Sequence, residues 1–509
     1  MKNKNLKVIV CILMLQFSGA ILKAQTNNKA MKELYRPQIH FSPKAHWIND
    51  PNGMVYSKGI YHLFFQYHPF SSVWGPMHWG HTTSKDMIHW KEEAIAIYPD
   101  AIGTIFSGSA ILDKNNTSGF GKKGKALLVA IFTQHNMDGE KAGTNTYQNQ
   151  SLAYSNDEGK TWVKYAGNPV LKNPGIKDFR DPKVMWYGAK QKWIMTLATA
   201  NKITFYSSPN LKDWTKESDF GKDLGAHGGV WECPDLITLD DTGKPRWVLI
   251  VNINPGAPNG GSGTQYFVGD FDGKTFTTTQ TETQWLDYGP DNYAGVTWSN
   301  TGKKKILLGW MSNWLYANQV PTEKWRNAMT IPRELNIKHI DKNIYVTSLP
   351  INEITKLEFK PVIFNNITVN KSLNLSSKIG KITMPCKINL AMNATNDFSF
   401  KINNQIGDNL VIGYDKKQNQ FYIDRTKAGK ADFKKEFAAR HFAPRLTTTN
   451  KINLTLLFDV NSVELFADDG LSVMTSIYFP VKSYDQIQIN CNQKTNLSTF
   501  KFCNLKSIW

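Results

Sequence analysis

Between Tyr35 and roughly Glu334 the sequence sustains no helical period. Short runs rich in Val, Ile, Tyr, Phe, Trp and Thr alternate instead with Gly, Asn, Asp and Pro turns. A chain patterned this way buries its apolar side chains only by pairing strands, so helix bundles and α/β layers are excluded. What remains is a sandwich, a barrel or a propeller. A faint repeat favours the propeller. Ser84-Lys85-Asp86-Met87-Ile88-His89-Trp90 is similar to Ser155-Asn156-Asp157-Glu158-Gly159-Lys160-Thr161-Trp162, and both to Ser208-Pro209-Asn210-Leu211-Lys212-Asp213-Trp214. Gly269-Asp270-Phe271-Asp272-Gly273-Lys274-Thr275-Phe276 is a degenerate fourth copy. Each is a polar turn that follows a strand and ends in an aromatic. The copies recur at intervals of roughly 50–70 residues, at or somewhat above the length of a propeller blade, and about 300 residues at that interval make about five blades.

After Leu335 the aromatic density falls, but alternating strands continue, as in Phe398-Ser399-Phe400-Lys401-Ile402 and Ile452-Asn453-Leu454-Thr455-Leu456. This pattern suits an antiparallel β-sandwich. The expected fold is therefore all-β: a five-bladed β-propeller over residues 35–349 followed by a C-terminal antiparallel β-sandwich over residues 350–509. The N-terminus has its own signature. Lys2, Lys4 and Lys7 precede the apolar run Val8–Leu15, and small or polar residues lead to Ala24-Gln25. That is the layout of a secretory signal peptide over residues 1–24, followed by a polar leader to about residue 36. The expected location is secreted or periplasmic. A surface lipoprotein anchored at Cys11 is disfavoured by the bulky Val10 before it. A second apolar run of spanning length is missing, so stable membrane insertion is not expected.

Cys233, Cys386, Cys491 and Cys503 are too few for a disulfide scaffold, and a Cys491–Cys503 bridge is left open. The formal charge of +18 is spread over scattered lysines rather than one arm or helix, so no nucleic-acid partner is expected. P-loop and His/Cys ligand spacings are absent, and neither cofactor nor metal is expected.

Three acidic residues stand in similar settings. Trp47-Ile48-Asn49-Asp50-Pro51-Asn52-Gly53 holds Asp50 before a proline and a turn dipeptide, which reads as a tight loop feeding a sheet. Alone, Asp50 is as well explained as a turn residue. Asp178-Phe179-Arg180-Asp181-Pro182 repeats the arrangement beside an arginine. In Val230-Trp231-Glu232-Cys233-Pro234-Asp235, Glu232 lies between Trp and Cys, an apolar setting that should raise its pKa and suit a proton donor. The spacing lets three different blades contribute one acid each. Paired carboxylates in one pocket are the equipment of glycoside hydrolysis, and Asn49, Gln66, Trp74, Ser107 and Trp314 offer hydrogen bonds and a stacking face for a sugar.

These segments, with Phe65-Gln66-Tyr67-His68-Pro69, Trp74-Gly75-Pro76-Met77-His78-Trp79, Phe106-Ser107-Gly108-Ser109 and Met311-Ser312-Asn313-Trp314, resemble the motif set of glycoside hydrolase family 32, the β-fructofuranosidases. The resemblance implies a propeller with its pocket on the axis. It implies Asp50 as nucleophile, Glu232 as acid/base and Asp181 as transition-state stabiliser, with Arg180 beside it. Asn49, Gln66, Trp74, Ser107 and Trp314 would line the fructosyl pocket. The implied reaction is retaining cleavage of terminal β-D-fructofuranosyl residues from fructans (levan or inulin) and sucrose. Endo-acting cleavage and a non-catalytic fructan-binding protein are the alternatives.

Overall fold

The computed structural model describes residues 31–123 and 125–509; the expected signal peptide and Cys11 lie outside them. Tyr35 and Arg36, at the end of the expected polar leader, are buried. Arg36 reaches inward to the Ser42 hydroxyl and the Pro43 carbonyl and lies over the Trp325 ring.

Residues 46–350 form five antiparallel blades around one axis. Their innermost strands are His46–Ser57, Thr104–Leu112, Phe179–Tyr187, Val230–Asp241 and Tyr293–Thr297. Trp325–Arg326, from the fifth blade's connection, pairs in parallel with His46–Trp47 and closes the ring. The four repeated turns all fall between the third strand of a blade and its outermost strand. Their polar residues explain the repeat. Oδ1 of Asp86, Asp157, Asn210 and Asp272 accepts backbone N–H groups two to four residues ahead, so one side chain folds each turn.

A 3₁₀ helix at Asn352–Leu357 follows, then two six-stranded antiparallel sheets packed face to face. Their alternating apolar residues, among them Ile388, Phe400, Ile412, Leu454, Leu456 and Phe500, make one core. Cys386, Cys491 and Cys503 are buried free thiols, so there is no Cys491–Cys503 bridge. Where the sandwich meets the propeller, apolar contacts such as Tyr316 on Phe437 and Ile331 near Phe466 are joined by buried charges. Arg333 donates to Asp287 (2.8 Å) and Glu464 (2.6 Å), His40 lies between Asp459 and Glu464 at 2.8 Å from each, and Arg425 donates to Asp291 (2.6 Å).

Candidate active site

Each innermost strand carries a β-bulge at the same height. Two residues oppose one at Asn49-Asp50 against Gln66, Phe106-Ser107 against Thr133, Asp181-Pro182 against Leu197, Cys233-Pro234 against Val251, and Ala294-Gly295 against Gly309. A bulge re-aims side chains that regular alternation would turn into the blade. Asp181, Cys233 and Ala294 reach φ of 65°, 43° and 53° there. Pro51, Gly108, Pro182, Pro234 and Gly295 complete the five bulges. Proline is tolerated because at the bulge each strand is the free inner edge of its blade. Gly108 is required because a Cβ would lie 2.2 Å from the Ile131 carbonyl oxygen. The Asp50 stretch is thus a bulge within a strand rather than a tight loop ahead of one, and the chain reverses later, between Ser57 and Ile60.

The bulges open into a pocket of about 280 Å³ that brings together Asn49, Asp50, Gln66, Trp74, Ser107, Arg180, Asp181, Glu232 and Trp314. Asn49 Nδ2 donates to Asp50 Oδ1 (2.9 Å) and Ser107 Oγ to Asp50 Oδ2 (2.6 Å), which fixes both carboxylate oxygens. Burial pushes the Asp50 carboxyl up, and the charge of Glu232 adds to it. Asp181 accepts the Cys233 N–H at 3.0 Å. Burial and the carboxylates of Glu232 and Asp50 push Asp181 up to about 7, against the pull of Arg180. Trp314 stacks on Trp47 with centroids 6.0 Å apart, and Trp74 meets Phe106 edge-on, so indole faces frame the mouth. Gln66 is held from behind by a 2.7 Å bond to Asn52.

Glu232 does not sit in the apolar setting that its sequence neighbours suggest. Trp231 turns into the core, whereas Glu232 faces the pocket. There Arg180 Nε and Nη2 donate to its Oε1 at 3.0 and 2.9 Å, and the Tyr293 hydroxyl donates to Oε2. The third arm of Arg180 holds Asp178 at 2.7 Å.

Several pocket residues escaped the sequence reading. Cys233 holds the bulge position that Asp181 holds in its blade, and like Asp50 and Asp181 it stands just before a proline; its Sγ is 3.7 Å from Asp50 Oδ2 and 3.6 Å from Asp181 Oδ2. Burial keeps this thiol protonated by pushing its pKa well up. The Cys233-Pro234 dipeptide matching Asp50-Pro51 and Asp181-Pro182 was the available signal. Tyr293 had none, because its bulge holds no acid. A short helix, Met137–Lys141, puts Glu140 at the rim, 3.1 Å from His135, whose other ring nitrogen faces Gln148. The pocket wall therefore carries five carboxyl groups against one guanidinium, in a chain of net charge +18.

The family model for the glycosyl hydrolases family 32 N-terminal domain matches residues 40–348, and that for the family's C-terminal domain matches residues 353–506. The chain is 43% identical over 522 residues to a levanase from Bacillus subtilis, an alignment that covers 100% of this chain and 76% of that protein. It is 38% identical over 485 residues to an extracellular exo-inulinase from Aspergillus niger, with 88% of this chain and 90% of that one covered. The crystal structure of an exo-inulinase from Aspergillus awamori superposes with a TM-score of 0.85 at 35% identity, over 94% of this chain and 99% of that one. With both family models matched in order over a five-bladed propeller and its sandwich, the chain belongs to glycoside hydrolase family 32.

Proposed function

We propose that this protein is an exported, exo-acting β-fructofuranosidase that releases fructose from the ends of levan- or inulin-type fructans, and from sucrose, with retention. The observation that carries the reading is the fixed Asp50 carboxylate in one pocket with the hydrogen-bonded Glu232 and the high-pKa Asp181. The levanase and exo-inulinase relatives support fructan as the substrate. A pocket of about 280 Å³, floored by the bulges that carry Asp50 and Asp181, suits a chain end better than a mid-chain segment. The Lys-rich, apolar N-terminus and the extracellular relative support export.

In the first step Asp50 attacks the anomeric carbon, the bond to the leaving oxygen breaks, and Glu232 gives that oxygen its proton. In the second, Glu232 takes a proton from water, the water oxygen bonds to the anomeric carbon, and Asp50 leaves as carboxylate. Burial raises the Asp50 carboxyl and brings Asp181 up to about 7, so Asp181 is partly protonated near neutral pH. Fructose hydroxyls bonded to Asp181 favour its ionised form. Arg180 and Tyr293 orient the Glu232 carboxyl; Trp74 and Trp314 give the ring a face.

The test is Glu232→Ala. It lowers kcat on fructan by roughly 10²–10⁴-fold, and by much less on a fructoside whose leaving group needs no proton. Equal losses on both substrates would remove Glu232 from the acid role. The product profile on levan and inulin tests the mode: fructose alone fits exo action, and early oligomers would overturn it.

A further inference from the structure

The catalytic pocket occupies one end of the propeller axis, and a larger cavity, of about 490 Å³, occupies the other. Its walls are the later halves of inner strands whose earlier halves build the pocket: Lys183–Trp186, Asp235–Thr238 and Thr297, with residues 111–115 closing one side. Asp235 lies three residues beyond Glu232, about 10 Å along the strand. Between the two cavities, beside Asp181, Lys183 and Cys233, lies a void of about 10 Å³, no more than one water fills. No substrate passes from one mouth to the other.

The chemistry of this second cavity is selective. Trp186 and Trp247 line its wall and are only part-buried, Trp186 packed on Trp193 and Trp247 on Phe271. At its base Lys183 pairs with Asp235 at 3.1 Å. Asp235 Oδ2 also accepts the backbone N–H and the hydroxyl of Thr297, both at 2.7 Å, whereas Oδ1 accepts no hydrogen bond among the described residues. Among the described residues Lys305 Nζ donates only to the Gly302 carbonyl, at 2.9 Å. Asp113 and Asp235 stand against Lys114, Lys183 and Lys305 in its lining, a near-balanced set that favours no strongly charged ligand, and Asp235 neutralises Lys183. Burying this ion pair under an apolar ligand would be unfavourable. A neutral polyhydroxylated ring satisfies every part: hydroxyls donate to Asp235 and accept from Lys305 while C–H faces lie on indole.

We infer that the far mouth of the propeller is a second, non-catalytic saccharide site, built by Trp186, Trp247, Asp235 and Lys305. Fructan is its ligand if the fructosidase reading above is right. Its consequence is retention: a polymer held at one mouth raises the effective concentration of chain ends at the other.

The experiment titrates a short inulin oligomer into full-length Asp50→Ala protein, which does not consume it. Two sites per chain are expected, falling to one when Trp247→Ala and Lys305→Ala are added. In the otherwise native enzyme the same pair leaves kcat and KM on sucrose unchanged and raises KM on levan by about three- to tenfold, the size of a modest avidity gain. Lys305→Ala alone, at a partly exposed position, gives a smaller rise in the same direction and covers the case in which Trp247→Ala fails to fold. One site in Asp50→Ala, or a second site indifferent to both substitutions, overturns the inference and leaves a water-filled cavity. Sucrose hydrolysis reports separately on the catalytic reading, so the two can fail independently.

Discussion

His40 is the most informative single position outside the pocket. It is buried, ahead of the first blade, with one ring nitrogen 2.8 Å from Asp459 and the other 2.8 Å from Glu464, both in the sandwich. Burial alone pulls its pKa down, but the two carboxylates overcome this and raise it from 6.5 to about 9. Glu464, also held by Arg333 and the Ile331 N–H, is lowered to about 2. Against the rise from burial, the lowering of Glu464 comes first from Arg333, and the part of it due to His40 is the same contact seen from the other side, so it is counted once, at His40. At 1.36 kcal/mol per tenfold change, the rise at His40 is worth at most about 3 kcal/mol. Because the folded pKa is the higher one, this stabilisation is complete below pH 6.5 and is lost as pH rises through 9. Between pH 7 and pH 10 the native protein should lose about 2–3 kcal/mol through His40. In His40→Gln the two carboxylates lack the imidazolium charge at every pH, as they do in the native protein at pH 10, while Arg333 stays on Glu464 in both. The stability difference between the two proteins, measured by urea unfolding with tryptophan fluorescence, should therefore shrink from about 2–3 kcal/mol at pH 7 to near zero at pH 10. A difference that stays constant, or grows with pH, would refute a charged His40.

Arg180→Lys keeps the charge but loses the fork that holds Glu232 and Asp178 together; kcat/KM on sucrose should fall about 10- to 150-fold for each charged hydrogen bond lost, and an unchanged value would deny Arg180 its positioning role. The five carboxyls of the pocket should reject a phosphate on the leaving group. Sucrose 6-phosphate should be about 30- to 1000-fold poorer than sucrose in kcat/KM, Glu140→Gln should recover part of the gap, and equal kcat/KM values would defeat the argument. Asn259 ties the loop beside Trp314 to the sandwich through the Phe442 carbonyl (2.8 Å) and N–H (3.1 Å). Asn259→Ala should speed proteolytic nicking between Pro255 and Gly263, and a cleavage rate like the native one would show the loop is held without it.

Much of this protein is legible in its sequence because the information is local. Strand alternation sets an all-β chain, and one Asp or Asn folding its own turn marks four blades, since both act over a few residues. Asp50-Pro51, Arg180-Asp181-Pro182 and Glu232-Cys233-Pro234 stand out for the same reason. What only the tertiary structure decides is where those side chains face and what they meet. The bulges, not the turn propensity of Asn52-Gly53, aim Asp50 at the axis. Glu232 looks apolar from Trp231 and Cys233, yet it lies against Arg180, 52 residues away, and Tyr293, 61 residues away. His40 meets Glu464 across 424 residues. Such partners leave no trace in a local pattern, because closing the ring and docking the sandwich brings together groups whose separation along the chain is unrelated to their separation in space.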